Sequence, residues 1–247
     1  EFKRNLWNYK MINKVLNKID IYADGADEKE IILFNGMNIV KGLTTNPSLM
    51  KKSGVVNYIN FCKKILKKVK KPISFEIFAD DENEITRQAR IINKWGENVY
   101  VKIPIVNTKN ISLNDVIKKL SDEKIKLNIT AIFTKKQIKG VINSLNNKTP
   151  AVISIFCGRI ADTGVNPSDF IEYARKIRKN RKNIKILWAS TREIYNIVEA
   201  EKAKCDIITV PTSILNKLNL IGKNLDKYSV ETVKMFYDDA KKAGYKL

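Results

Sequence analysis

Eight short apolar runs, rich in isoleucine and valine and recurring about every 25 to 30 residues, constrain the fold of this chain more than any other feature. They read IDIYAD (19–24), NIVKGLTTN (38–46), PISFEIF (72–78), VYVKIPI (99–105), KLNITAIF (126–133), AVISIFCGRI (151–160), IKILWAST (184–191) and DIITVPTS (206–213). Between them lie amphipathic, lysine-rich stretches such as VNYINFCKKILKKV, NEITRQARIINKW, SLNDVIKKLSDE, KKQIKGVINSL, PSDFIEYARKIRKN and REIYNIVEAEKA, with a last one at VETVKMFYDDAKKA. This alternation is that of repeated βα units around a parallel sheet whose strands are covered on both faces. A chain of 247 residues accommodates eight such units as one closed (β/α)8 TIM barrel, a fold of about 250 residues. A doubly wound sheet rarely spends a whole chain on eight regular repeats. No Pro/Gly/Ser-rich linker divides the sequence, so a single domain is expected over 1–247, with 1–17 as an extra N-terminal helix and 228–247 as a C-terminal helix.

Composition narrows the chemistry. The chain has no histidine, which removes Ser-His-Asp and Cys-His catalysis and imidazole metal ligands. Acid-base and nucleophilic work therefore falls to lysine, carboxylates, tyrosine, hydroxyls or water. Cys62, Cys157 and Cys205 are odd in number and form no CxxC pair, the N-terminal EFKRNLWNYK lacks the apolar core of a secretory signal, and no apolar run approaches the roughly 20 residues of a membrane span. A soluble protein of the reducing cytoplasm is expected, without a membrane partner. The net charge of +20 suggests nucleic acid at first sight, but the lysines are scattered over nearly every helical stretch, with no arginine-rich tail or aromatic RNA-binding signature. They read as a solvated surface that attracts phosphorylated substrates and binds no nucleic acid.

Side chains alternate faces along a strand. In VYVKIPI the apolar Val99, Val101, Ile103 and Ile105 share the helix-facing side, which leaves Lys102 inside the barrel with Tyr100 and Pro104. The same parity puts Asp24, Thr44 with Asn46, Ser74 with Glu76, Asn128 with Thr130, Ser154 and Ser190 on inner faces. Most lie toward the C-terminal half of their strand, where barrel enzymes assemble their sites. Any one of them is ordinarily a satisfied internal hydrogen bond; their recurrence on strand after strand points to catalysis. A lysine walled into a barrel is disfavoured as an ammonium by desolvation, which frees the amine as a nucleophile toward carbonyls, and Schiff-base chemistry follows. Asp24, Glu76 and the Thr130 hydroxyl are placed to hold a water and move protons, while the bland alternative is a structural Lys102–Glu76 ion pair. Arg159 in CGRI, and Ser190 with Arg192 in WASTRE at an expected helix start, are candidates for a phosphate site.

The ordered set GLTTNPSLM, VKIP, NITAIFT, FCGRIADTG and WASTRE resembles the transaldolase family, in the short single-domain branch that includes fructose 6-phosphate aldolase, over about residues 18 to 245. In TTNPS the residues also read locally as an Asn N-cap with Pro at the first helical position. The resemblance implies a class I mechanism in which Lys102 forms a Schiff base with a ketose and cleavage leaves a dihydroxyacetone enamine. It assigns Asp24 as the acid-base at the C4 hydroxyl, Glu76 and Thr130 to the catalytic water, Asn46 and Asn128 to the donor hydroxyls, Ser154 to the substrate, and Arg159, Ser190 and Arg192 to the phosphate. The aldolase branch carries Gln and Tyr where this chain has Glu76 and Phe156, and transaldolases carry Glu and Phe. Transfer of a dihydroxyacetone unit between sugar phosphates is therefore expected, with no metal and no dissociable cofactor. The alternatives are fructose 6-phosphate cleavage without transfer and a catalytically silent barrel that binds an anionic sugar. The short branch forms homo-oligomers, a pentamer or a decamer of two rings, through a helix like VETVKMFYDDAKKAG; Phe236 and Tyr237 on it read alternatively as a cap on the barrel.

Overall fold

The computed structural model describes residues 18–247, and the helix expected over 1–17 lies outside the described residues. Eight parallel strands close into a barrel in sequence order: β1 (Asp20–Asp24), β2 (Val40–Thr44), β3 (Ile73–Glu76), β4 (Val99–Pro104), β5 (Leu127–Ile132), β6 (Ala151–Ile155), β7 (Ile184–Trp188) and β8 (Ile207–Pro211). The register of β1 on β8, Asp20 opposite Ile207 through Asp24 opposite Pro211, completes the ring. Around it run α1 (Glu28–Asn35), α2 (Pro47–Lys52), α3 (Tyr58–Lys68), α4 (Glu82–Asn93), α5 (Asn114–Asp122), α6 (Lys135–Ser144), α7 (Cys157–Ala161), α8 (Ser168–Arg178), α9 (Tyr195–Lys202), α10 (Thr212–Leu215) and α11 (Leu225–Ala243).

Side-chain oxygens start most of the longer helices, because the first amides of a helix have no partner within it. Asp27, Asn46, Asn57, Asp81 and Asn224 each accept from the amide three residues on. Thr134 and Gln137 cap α6 reciprocally. Between helices and strands lies a shell of isoleucine and valine, including Ile65, Ile85, Val101, Ile117, Ile153 and Ile186, each fully buried. Burying a side chain of this size contributes roughly 1.5–3 kcal/mol.

Inside the barrel, Tyr22, Tyr100, Val152, Leu187 and Ile207 pack together and plug its N-terminal half. Gly42 makes room for this plug, since a Cβ there would stand 2.4 Å from the Tyr22 ring. The candidate site residues lie beyond this plug, at the C-terminal mouth.

Three expectations change. AVISIFCGRI is not one strand, because β6 stops at Ile155 and CGRIA turns into α7. The helix read from Arg192 begins only at Tyr195, because the Asn196 side chain captures the amides of Arg192 and Glu193 and holds them in a loop. The C-terminal helix runs Leu225–Ala243 rather than over 228–247, set by the Asn224 cap and by the left-handed Gly244, φ 69°. Phe236 and Tyr237 on it are 63% and 66% exposed, so they do not cap the barrel. Among the described residues, no helix is long and apolar enough to cross a membrane.

Candidate active site

At the C-terminal mouth a cavity of about 530 Å³ is lined by every residue given a catalytic or substrate-binding role above: Asp24, Asn46, Glu76, Lys102, Asn128, Thr130, Ser154, Phe156, Arg159, Ser190 and Arg192. Lys102 sits between Glu76 of β3 and Asn128 of β5 in register. It is 8% exposed. Its Nζ lies 3.2 Å from Glu76 Oε2 and donates to the Thr45 carbonyl at 2.9 Å. The ion pair named as the bland alternative is thus present in the geometry. It does not compete with the chemical reading, because a carboxylate beside an ammonium is also a base beside an acid.

Asp24 ends β1 and accepts from the Thr44 hydroxyl at 2.8 Å. Burial raises its pKa above the usual carboxylate range and the Glu76 charge adds to this, while Lys102 and the Thr44 hydrogen bond pull the other way. Asn128 bridges two strands, donating to Ser74 Oγ at 2.9 Å and accepting from Ser154 at 2.6 Å. Thr130 Oγ1 is buried and finds no hydrogen-bond partner among the described residues, although it lines the cavity. Beside it, Ala131 takes a positive φ of 57° where the β5 ladder shifts register, a strained conformation of the kind that collects at functional sites. Asn46 lines the cavity while its side-chain oxygen caps α2, so both readings of TTNPS hold in one geometry.

The opposite rim is cationic. The Arg159 guanidinium lies over the Phe156 ring at 5.7 Å, and Arg192 is paired with Asp162 at 2.6 Å. Alternation does not deliver Ser190 as expected. Leu187 and Ala189 take the inward positions and Trp188 faces the helices, so regular strand geometry would turn Ser190 away. It reaches the cavity because the chain leaves the strand and Ser190 adopts a left-handed φ of 63°. Nor do Ser190 and Arg192 sit at a helix N-terminus; they occupy the loop before α9. That loop rests on α7 so closely that a Cβ on Gly158 would stand 1.6 Å from the Ser190 carbonyl oxygen.

Thr209 of β8 lines the same cavity and is not among the candidates above, though strand parity in DIITVPTS puts it inward. Thr45 carries no sequence signal of its own, and its carbonyl contact with Lys102 reveals it. The three cysteines are all buried, and burial pushes the Cys62 and Cys205 thiols up to about 12 and Cys157 well above its ordinary value, so none is an activated nucleophile.

A buried lysine paired with Glu76 and sharing its cavity with Asp24, at the mouth of a (β/α)8 barrel that also presents Arg159 and Arg192, is an arrangement suited to aldolase-type chemistry. Residues 21–247 match the model of the family described as Transaldolase/Fructose-6-phosphate aldolase. The chain belongs to that family. It is 34% identical to a probable transaldolase of Brucella anthropi over 218 residues, covering 86% of this chain and 96% of that one. A probable transaldolase of Nitrosopumilus maritimus is 33% identical over 201 residues, covering 80% of this chain and 86% of the other. Among solved structures, deoxyribose phosphate aldolase from Aeropyrum pernix superposes with a TM-score of 0.55 at 10% identity over 85% of this chain and 92% of its own, a likeness of fold alone.

Proposed function

We propose that this protein is a transaldolase that moves a dihydroxyacetone unit from a ketose phosphate, such as fructose 6-phosphate or sedoheptulose 7-phosphate, to an aldose phosphate through a Schiff base on Lys102. The observation that carries this reading is the Lys102 amine, buried within reach of one carboxylate, Glu76, and sharing a cavity with a second, Asp24, whose pKa is raised.

The ammonium first gives up a proton, for which Glu76 Oε2 at 3.2 Å is the nearest carboxylate. The amine then attacks the ketose carbonyl. Loss of water from the carbinolamine leaves the imine, and Glu76 with the unpartnered Thr130 hydroxyl orders the departing water. Asp24 takes the C4 hydroxyl proton, the C3–C4 bond breaks, and its electron pair passes into the imine to form the enamine while the aldose leaves. Addition of that enamine to a second aldose, with the proton returned by Asp24, reverses these steps. Asn128 and the amide nitrogen of Asn46 meet the donor hydroxyls, Ser154 supports Asn128, and Arg159, Ser190 and Arg192 take the phosphate.

Transfer is favoured over simple cleavage by Phe156, whose ring has no hydroxyl to protonate the enamine for release as free dihydroxyacetone. The test is turnover of fructose 6-phosphate with and without an aldose phosphate acceptor. Consumption that depends on the acceptor supports transfer; equal consumption without it, with free dihydroxyacetone accumulating, establishes cleavage instead.

A further inference from the structure

Thr209, 6% exposed on β8, touches both halves of the cavity. Its hydroxyl is hydrogen-bonded to that of Thr44, which in turn donates to Asp24 Oδ1 at 2.8 Å. Its carbonyl oxygen accepts from the Thr191 hydroxyl at 2.7 Å, in the loop that carries Ser190 and Arg192. A threonine hydroxyl has a single proton, and an ionised carboxylate only accepts. While Asp24 is ionised the Thr44 proton is therefore committed to it, and the proton between the two threonines comes from Thr209.

We propose that Thr209 is a positioning residue of this site: its hydroxyl fixes the direction of a Thr209–Thr44–Asp24 donor chain, and its carbonyl anchors the anion-binding loop to the same point of the barrel. The catalytic consequence rests on the acid-base role proposed for Asp24. Hydrogen bonds in series polarise one another, so a donor behind Thr44 strengthens the bond that Thr44 makes to the carboxylate. The charged groups facing Asp24 are Lys102 from β4 and Glu76 from β3. The adjoining strands β2 and β8 bring Thr44, Thr209 and Pro211, and Glu30 of α1 is held at the rim by Thr212. Thr209 thus acts on a carboxylate whose charge partners are already in place.

The test is the titration midpoint of Asp24, read as the infrared carboxyl difference between the protein and its Asp24→Asn variant, repeated in a Thr209→Val background. Loss of the donor should raise the midpoint by about 0.3 to 1 unit, and Thr209→Ser should return it. Thr191→Val, which cuts only the carbonyl contact, should leave the midpoint in place and raise KM for phosphorylated substrates. A midpoint unmoved in Thr209→Val, or moved as far in Thr191→Val, overturns the proposal. Should the valine variant fold poorly, Thr209→Ala reads the same midpoint. The acid limb of kcat/KM should move with it; a midpoint that shifts while that limb stays fixed would keep the donor chain and remove Asp24 from the chemistry.

Discussion

Asp24 is held against its own solvation. Its pKa is raised above that of an ordinary aspartate, mainly by burial, so the folded protein binds its proton more tightly than the unfolded chain does. The carboxyl then favours folding most at pH below about 4 and loses that contribution as pH rises through the folded value. Asp24→Asn, which is never charged, should therefore melt higher than the parent at neutral pH, with the gap closing in acid, while turnover falls roughly 10²- to 10⁴-fold, as for loss of a general acid-base group. Equal melting temperatures at neutral pH would contradict the burial argument. The residues of this centre were legible in the sequence because strand alternation with a period of 2 aims Asp24, Glu76, Lys102, Asn128 and Thr130 inward. Thr209 obeys the same rule, but a lone threonine in DIITVPTS carries no charge to mark it out. Ser190 was reached by a rule that does not apply to it, because its position depends on one left-handed residue beyond the strand end.

At the scale of elements, the proposed anion site depends on how α7 and the loop after β7 pack. The α7 helix and the loop after β7 meet at Gly158, where backbone approaches backbone, and a rigid carbonyl cannot move aside as a side chain can. Gly158→Ala should lower stability by about 1–3 kcal/mol, a typical overpacking cost, and weaken phosphorylated substrates more than unphosphorylated ones. A melting point and KM values unchanged from the parent would mean that the two loops shift freely. None of this contact is legible in the sequence: AVISIFCGRI reads as one strand, and the partner of Gly158 lies 32 positions further on, at Ser190. By contrast the starts of α2 and α6 follow from short-range chemistry, the Asn46 and Thr134 caps and the Pro after Asn46. The α1 helix went unnamed in the sequence because EKEIILFN is short and only weakly amphipathic.

For the whole molecule, charge and surface set the expectations. A net charge of +20 spread over the barrel surrounds the mouth for which phosphorylated substrates are proposed, and fields of this kind raise association rates in a manner that salt suppresses. The α11 helix buries none of its residues among those described, although Leu225, Tyr228, Val233, Phe236 and Tyr237 lie along it. A homo-oligomer built on this helix, as the sequence resemblance implies, would cover that apolar surface. Light scattering should then report a mass of several chains for the full protein and a smaller species after removal of residues 225–247. A full-length monomer would contradict the assembly without touching the site.

The central claim, covalent catalysis by Lys102, is tested most directly by borohydride reduction in the presence of fructose 6-phosphate, followed by peptide mass mapping. The account predicts a stable three-carbon adduct on the peptide containing Lys102 and none in Lys102→Met. An adduct on another lysine, or turnover that persists in Lys102→Met, would contradict it.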